Sequence, residues 1–448
     1  MKSFFLTTED LGKPDKFYNF VKKQTIMKKL LLISFLLINV TLVAQFDSLF
    51  YNKTLRLDYY HTGDSVNEFY SFDELKIEPF FGGSHTNLID TFNYGKYFFK
   101  VFDIATDSLI YSRGYGTLFG EWQTTNEAKK TLRSLSETVV MPLPKNDAKI
   151  VLFSRNKKGI FEEKFTYIYK TINYFVSSER RLEYPSFDVH ISGDPAKKVD
   201  IVILPEGYTK EQMGLFINDC KNFADSLFSY EPYSNYKDRF NIRGVLAPSM
   251  ESGSDVPADS VWKKTLLSTS FYTFNSERYC MTLDDKSVRD LAANAPYDQI
   301  YILVNSGKYG GGAIFNYYSI SVNSNKKAGK IFVHEFGHGF AGLADEYYTS
   351  SVAYSEFYPT DVEPWEPNLT TLVDFDRKWK NMLDKKTPVP TPDKKKFYDK
   401  TGVFEGGGYA AKGVYRPAYD CLMNSFKGHK FCPVCSDAIV KMINFYSE

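Results

Sequence analysis

What the chain lacks narrows its chemistry first. Lysine and arginine (55) almost cancel aspartate and glutamate (54), leaving a net charge of +1. A protein that holds nucleic acid by its phosphates carries a basic surplus, so no nucleic-acid partner is expected. No acidic solvating tail is expected either. No apolar run reaches the roughly 20 residues that a membrane-spanning helix needs. Internal repeats and low-complexity tracts are missing, which excludes a solenoid. Histidine is scarce, with 6 in 448 residues, and cysteine scarcer, with 5. The run Gly310-Gly311-Gly312 is followed by no Lys-Ser/Thr and opens no helix, so it is not a phosphate loop. It reads instead as a flexible entry to an edge strand.

What is abundant is aromatic surface, 33 Tyr and 38 Phe, which suits a β-rich globular protein. A length of 448 residues implies more than one domain. Near the start, Met27-Lys28-Lys29 precedes an apolar run over 30–43 that ends at Leu42-Val43-Ala44 before Gln45. A basic segment, a short apolar segment and a small-residue cleavage site make residues 27–44 a secretory signal. Residues 1–26 are read as an upstream extension from a start assigned too early. The expected location is therefore outside the cell or in its envelope, with no membrane span after cleavage. Disulfides become possible there, and one bridge from Cys421 to Cys432 or Cys435 is expected in preference to a soft-metal site on the Cys421, Cys432 and Cys435 thiolates.

Short strands with period-two or fully apolar patterns are predicted at 55–59, 97–102, 150–153 and 165–169, which together read as an antiparallel β-sandwich over 45–170. No catalytic constellation lies in it, and it is taken as an accessory domain. Binding of a glycan or glycoprotein through its aromatics, with a purely structural zinc elsewhere, is the competing reading of the whole protein. Residues 171–196 carry little periodicity and are expected to be a linker. From 197 onward the pattern changes. A buried strand over 199–204 is followed by a capping box, Thr209 with Gln212, and then by apolar residues at helical spacing from Met213 to Leu227. Strands are predicted at 240–247, 299–304 and 313–322, ahead of a helix carrying Ile331, Val333, Phe336, Phe340 and Leu343. The overall expectation is a multi-domain α+β protein, its second domain a mixed sheet with an active-site helix.

That last helix carries His334-Glu335-Phe336-Gly337-His338. Histidines four apart lie on one helix face about 5–6 Å apart at their β-carbons, and both rings can reach a single ion. Glu335 then stands beside an open coordination position, where zinc lowers the pKa of bound water to about 7 and a carboxylate can take the proton. A third ligand is needed. Gly342 permits a sharp turn that returns the chain toward the metal, and Asp345 is the expected ligand. Glu346 is the runner-up, and the distant His429 a further possibility. Ser252-Gly253-Ser254-Asp255 reads as a turn rather than a cation loop.

The helix motif, the glycine after it and Met423 in Cys421-Leu422-Met423-Asn424 resemble the metzincins, in which a methionine-bearing turn lies beneath the metal. Ala341 stands where those proteins carry glycine, and Asp345 is shifted from their third histidine. More narrowly, the chain resembles the M64 family of IgA-peptidase-like metallopeptidases. The resemblance rests on residues 200–208, 251–255, 334–347, 405–409, 413–417, 421–423 and 431–435, and covers 197–448. It implies a zinc endopeptidase acting on a protein or peptide, with His334, His338 and Asp345 as ligands and Glu335 as base. Tyr415, just before the methionine turn, is the expected donor to the developing oxyanion.

Overall fold

The computed structural model describes residues 45–348, 358–425 and 430–448. The signal-like stretch 27–44 and His429 lie outside the described residues. Among those described, no helix is long and apolar enough to cross a membrane.

The N-terminal half is built from strands rich in aromatic residues. Strands β1 (Phe50–Gly63), β2 (Glu68–Glu78) and β5 (Arg133–Pro144) form an antiparallel sheet in the order β2-β1-β5. Strands β3 (Tyr97–Asp103), β4 (Leu109–Tyr115), β6 (Ala148–Arg155) and β7 (Phe161–Tyr169) form a second, in the order β4-β3-β6-β7. The sheets meet through Tyr59 and Tyr115, whose hydroxyls are 3.0 Å apart, and through His61, set edge-on to Tyr97. His61 also stacks on Phe119 of the short helix α1 (Leu118–Trp122). The expected strands are present, while β2, β4 and β5 were not anticipated because charged residues interrupt their apolar alternation.

The second half is organised around a six-stranded mixed sheet. Its members are β8 (Ser186–His190), β9 (Val199–Glu206), β10 (Phe240–Val245), β11 (Gln299–Val304), β12 (Gly311–Ile314) and β13 (Tyr318–Val322), in the order β12-β13-β11-β9-β10-β8. The four central strands are parallel and both edges antiparallel. Strands covered on both faces are apolar throughout, as every residue of β9 and β11 is buried. Helices α2 (Met213–Phe228) and α4 (Ala328–Ala341) pack on one face, where Phe223 meets Phe332. Helix α3 (Asp285–Ala292) lies in the cluster on the other face. The hairpin β14 (Phe404–Gly407) and β15 (Ala410–Arg416) and the final helix α5 (Pro433–Ser447) complete the chain.

Two expectations need correction. The single strand over 313–322 is a hairpin, β12 and β13, because Asn316 adopts a left-handed φ of 51° and turns the chain. Nor is 171–196 merely a connecting segment. Ser177 exchanges backbone hydrogen bonds with Leu75 and Ile77, and residues 186–190 are the edge strand β8. Both depend on distant partners, so local periodicity could not reveal them. The β-rich halves are also joined by buried charge: Arg56 holds Asp58 and, at 2.7 Å, Asp290 of α3, which Lys76 also meets.

Candidate active site

Helix α4 sits unusually close to the sheet because small residues face it. A β-carbon on Gly339 would fall 2.2 Å from Ser319 Oγ of β13. Ile331, Phe332, Val333, Phe336 and Phe340 fill the core, which leaves His334, Glu335 and His338 toward a cavity of about 1080 Å³. The helix ends at Gly342, with φ 62° and ψ 28°, a left-handed conformation that side chains resist. A β-carbon there would also meet the Trp365 ring at 2.9 Å.

That turn prepares the next residues for chemistry. His338 Nδ1 donates to Leu343 O at 2.5 Å, and His334 Nδ1 to Leu422 O at 3.0 Å. With each Nδ1 proton committed to a carbonyl, each neutral ring presents a bare Nε2 lone pair. The two Nε2 atoms are 3.1 Å apart, and Asp345 Oδ1 lies 3.1 Å from one and 3.3 Å from the other. Among the described residues, Asp345 Oδ1 is buried and has no hydrogen-bond donor while both imidazoles are neutral. Three acceptors converging on one point repel each other unless a cation lies between them. Ligands about 2.0–2.2 Å from one ion in tetrahedral array stand roughly 3.3–3.6 Å apart, close to what is seen. The group therefore fits a divalent ion, with Asp345 rather than Glu346 as third donor. Burial works against a charged His338, yet Asp345 and Glu335 beside it push its pKa up to about 9 in the ion-free protein. A proton takes part of the cation's role when no metal is bound.

The rest of the cavity wall comes from distant segments. Residues 310–315, including all of β12, run along it, and Lys96, Arg155 and Gly159 contribute from the N-terminal sheets. A β-carbon on Gly311 would stand 3.5 Å from Glu335 Cγ, so the strand passes directly beside the helix motif. Among the described residues, β12 has a ladder partner on one side and an isolated bridge, Gly311 with Tyr279, on the other. Its start is thereby covered, since Gly311 N–H donates to Arg278 O. The N-terminal half closes the far end, where Gly116 N–H donates to Phe315 O.

Residues 187–402 and 393–443 match the family described as IgA Peptidase M64, and residues 45–166 match Peptidase M64 N-terminus. The chain belongs to the M64 peptidase family. Comparison with curated proteins returned no match. As a member of a peptidase family, this M64 chain has a protein or peptide as its substrate class. The N-terminal match spans the strands of the two antiparallel sheets.

Tyr415 is not brought to this centre. It lies on β15, exchanging backbone hydrogen bonds with Thr370, and is not among the residues lining the cavity. The hairpin instead sends in Tyr409, at a left-handed φ of 65°, whose hydroxyl donates to Asp345 Oδ2. Gly408 N–H donates to Asp345 O and Tyr409 N–H to Tyr347 O, which docks the hairpin on the ligand segment. Arg278 Nη2 donates to Tyr347 Oη at 3.0 Å, placing a cation and a hydroxyl on the cavity wall. Asn368 clamps both backbone groups of Ala344, at 2.8 and 2.9 Å, and donates to Glu346 Oε1 at 3.0 Å. Of these four residues, Tyr409 and Tyr347 lay in segments that carried a sequence signal, whereas Arg278 and Asn368 did not. Met423 does lie by α4, its Sδ 3.3 Å from where a Gly337 β-carbon would be, and its carbonyl accepts Glu346 N–H.

The expected Cys421 disulfide is also corrected. Cys421, Cys432 and Cys435 are all unpaired and buried, and the Cys421 and Cys435 sulfurs are 3.8 Å apart, against about 2.05 Å for a bond.

Proposed function

We propose that this M64 chain is an exported zinc endopeptidase that cuts an extracellular protein or glycoprotein. His334, His338 and Asp345 would hold the zinc, and Glu335 would be the general base. The observation that carries the reading is the meeting of two Nε2 atoms and one carboxylate oxygen within 3.1–3.3 Å on the wall of a large cavity. Zinc bound there would supply a water acidified to a pKa of about 7 and polarise the scissile carbonyl.

Glu335 takes the proton of the attacking water and passes it to the leaving amine. Burial pushes its pKa above the ordinary carboxylate range, although His334 and His338 pull it down, and a raised pKa suits a group that both accepts and returns a proton. Arg278 and the Tyr347 hydroxyl face the same space and stabilise the oxyanion as it develops. Substrate lies extended along β12, main chain to main chain. Export rests on the signal-like stretch 27–44.

Glu335→Gln tests the mechanism. It is expected to retain its metal and lose kcat by about 10²–10⁴-fold on a casein or peptide-library substrate, with chelator-treated wild type equally silent. A fully active variant would remove Glu335 as base, and cleavage surviving complete metal removal would remove the metal from the reaction.

A further inference from the structure

Beside the catalytic group, and facing away from the cavity, lies a second convergence of ligand atoms. Glu346, Cys421, Cys432 and Cys435 each place one donor atom within 4.8 Å of the others. Their exposures are 0%, 1%, 3% and 0%. We infer that these four residues form a closed, structural site for a soft divalent cation, zinc being the best match, built from three thiolates and one carboxylate.

Spacing is the first argument. Cys421 Sγ and Cys435 Sγ are 3.8 Å apart, and Cys435 Sγ lies 3.2 Å from Glu346 Oε1. Sulfurs bound at about 2.3 Å to one tetrahedral zinc stand roughly 3.8 Å apart. Two of the sulfurs also accept backbone N–H bonds: Cys432 N–H reaches Cys421 Sγ at 3.3 Å, and Cys435 N–H reaches Cys432 Sγ at 3.4 Å. Donors aimed at sulfur stabilise thiolate, the form that binds metal. Cys432 also caps α5, whose amino end favours negative charge.

The second argument is what would be stranded otherwise. Among the described residues, Glu346 Oε2 is buried without a hydrogen-bond partner, and the surroundings are core residues such as Leu422, Phe431 and Ile439. A disulfide would consume two of the cysteines and leave the third, with the carboxylate, enclosed in apolar core. A cation satisfies all four. With four protein ligands and no opening to the cavity, the site is of the structural kind.

Its position suggests what it stabilises. Glu346 follows Asp345, and Cys421 precedes Leu422, whose carbonyl fixes the His334 ring. The ion would tie the turn after α4, the methionine turn and the start of α5 into one brace behind the catalytic ligands.

The experiment measures metal on the full chain purified without added chelator. Wild type is expected to hold two zinc ions and His338→Ala one. Cobalt-exchanged His338→Ala should show thiolate-to-cobalt charge-transfer absorption, and Cys432→Ser should lose that band. Because His338→Ala leaves all four residues intact, the test survives even if the cysteine variant fails to fold. A wild type with one ion, retained with its thiolate band in His338→Ala, would still support this site while sinking the catalytic-metal reading. Absence of the thiolate band in cobalt-exchanged His338→Ala, or a peptide map linking Cys421 to Cys432 or Cys435, would overturn the inference.

Discussion

Asp345 and Glu346 are neighbours in the chain with opposite surroundings. Asp345 turns toward two imidazoles at the wall of a large cavity, whereas Glu346 turns toward three sulfurs in closed core. The ligand sets differ in the same sense. Nitrogen and oxygen donors with space beside them leave a coordination position for water, and a closed sulfur-rich set does not. The division is made by backbone pinning rather than by side-chain chemistry. Asn368 clamps Ala344 just before the pair, and Gly408 N–H and Met423 O take the Asp345 carbonyl and the Glu346 N–H. On the roles proposed above, solvent access is what would separate a catalytic metal group from a structural one.

Four experiments sharpen or break this contrast, beginning with the largest effect. Cys432→Ser is expected to cost more than about 4 kcal/mol of unfolding free energy, as loss of a structural metal does, while His338→Ala abolishes cleavage at much smaller cost in stability. Denaturant melts of both set beside activity would expose a reversed pattern. Tyr409→Phe removes the hydrogen bond to Asp345 Oδ2. Metal retention at the catalytic group should weaken roughly 10- to 100-fold, read by competition with a chromogenic chelator, with the thiolate site unaffected. Acidity gives the third. The ion-free His338 titrates at about 9, so at neutral pH a proton must leave before metal enters. Affinity of the catalytic group should rise about tenfold per pH unit from neutral toward that pKa and then level off, and a flat profile would contradict the proton count. Gly342→Ala has the smallest effect, about 1–2 kcal/mol for a left-handed alanine, raised somewhat by the Trp365 ring. The turn serves both groups, so calorimetry and activity should move together.

How far the site could be read from the chain differs residue by residue. His334, Glu335 and His338 were legible because helical spacing alone brings positions four apart together, and Gly342 because a left-handed turn has few other occupants. Asp345 was legible only as one of two carboxylates. Tyr409, Arg278 and Asn368 reach the site from a hairpin and separate loops, and Tyr415 was an error of the same origin: nearness in sequence to the methionine turn is not nearness in space. The disulfide expectation failed because the cysteines pack with Glu346, 75 or more positions away in the chain, and nothing local signals that contact.

Sequence by itself determined the strand-rich N-terminal half, the apolar central strands, the histidine helix and its termination, since each depends on residues within a few positions of one another. Tertiary structure alone decided which carboxylate meets the imidazoles, which closes on the sulfurs, and how β12 and the N-terminal sheets frame the cavity. Those outcomes turn on contacts between segments tens to hundreds of residues apart, where no local periodicity carries information.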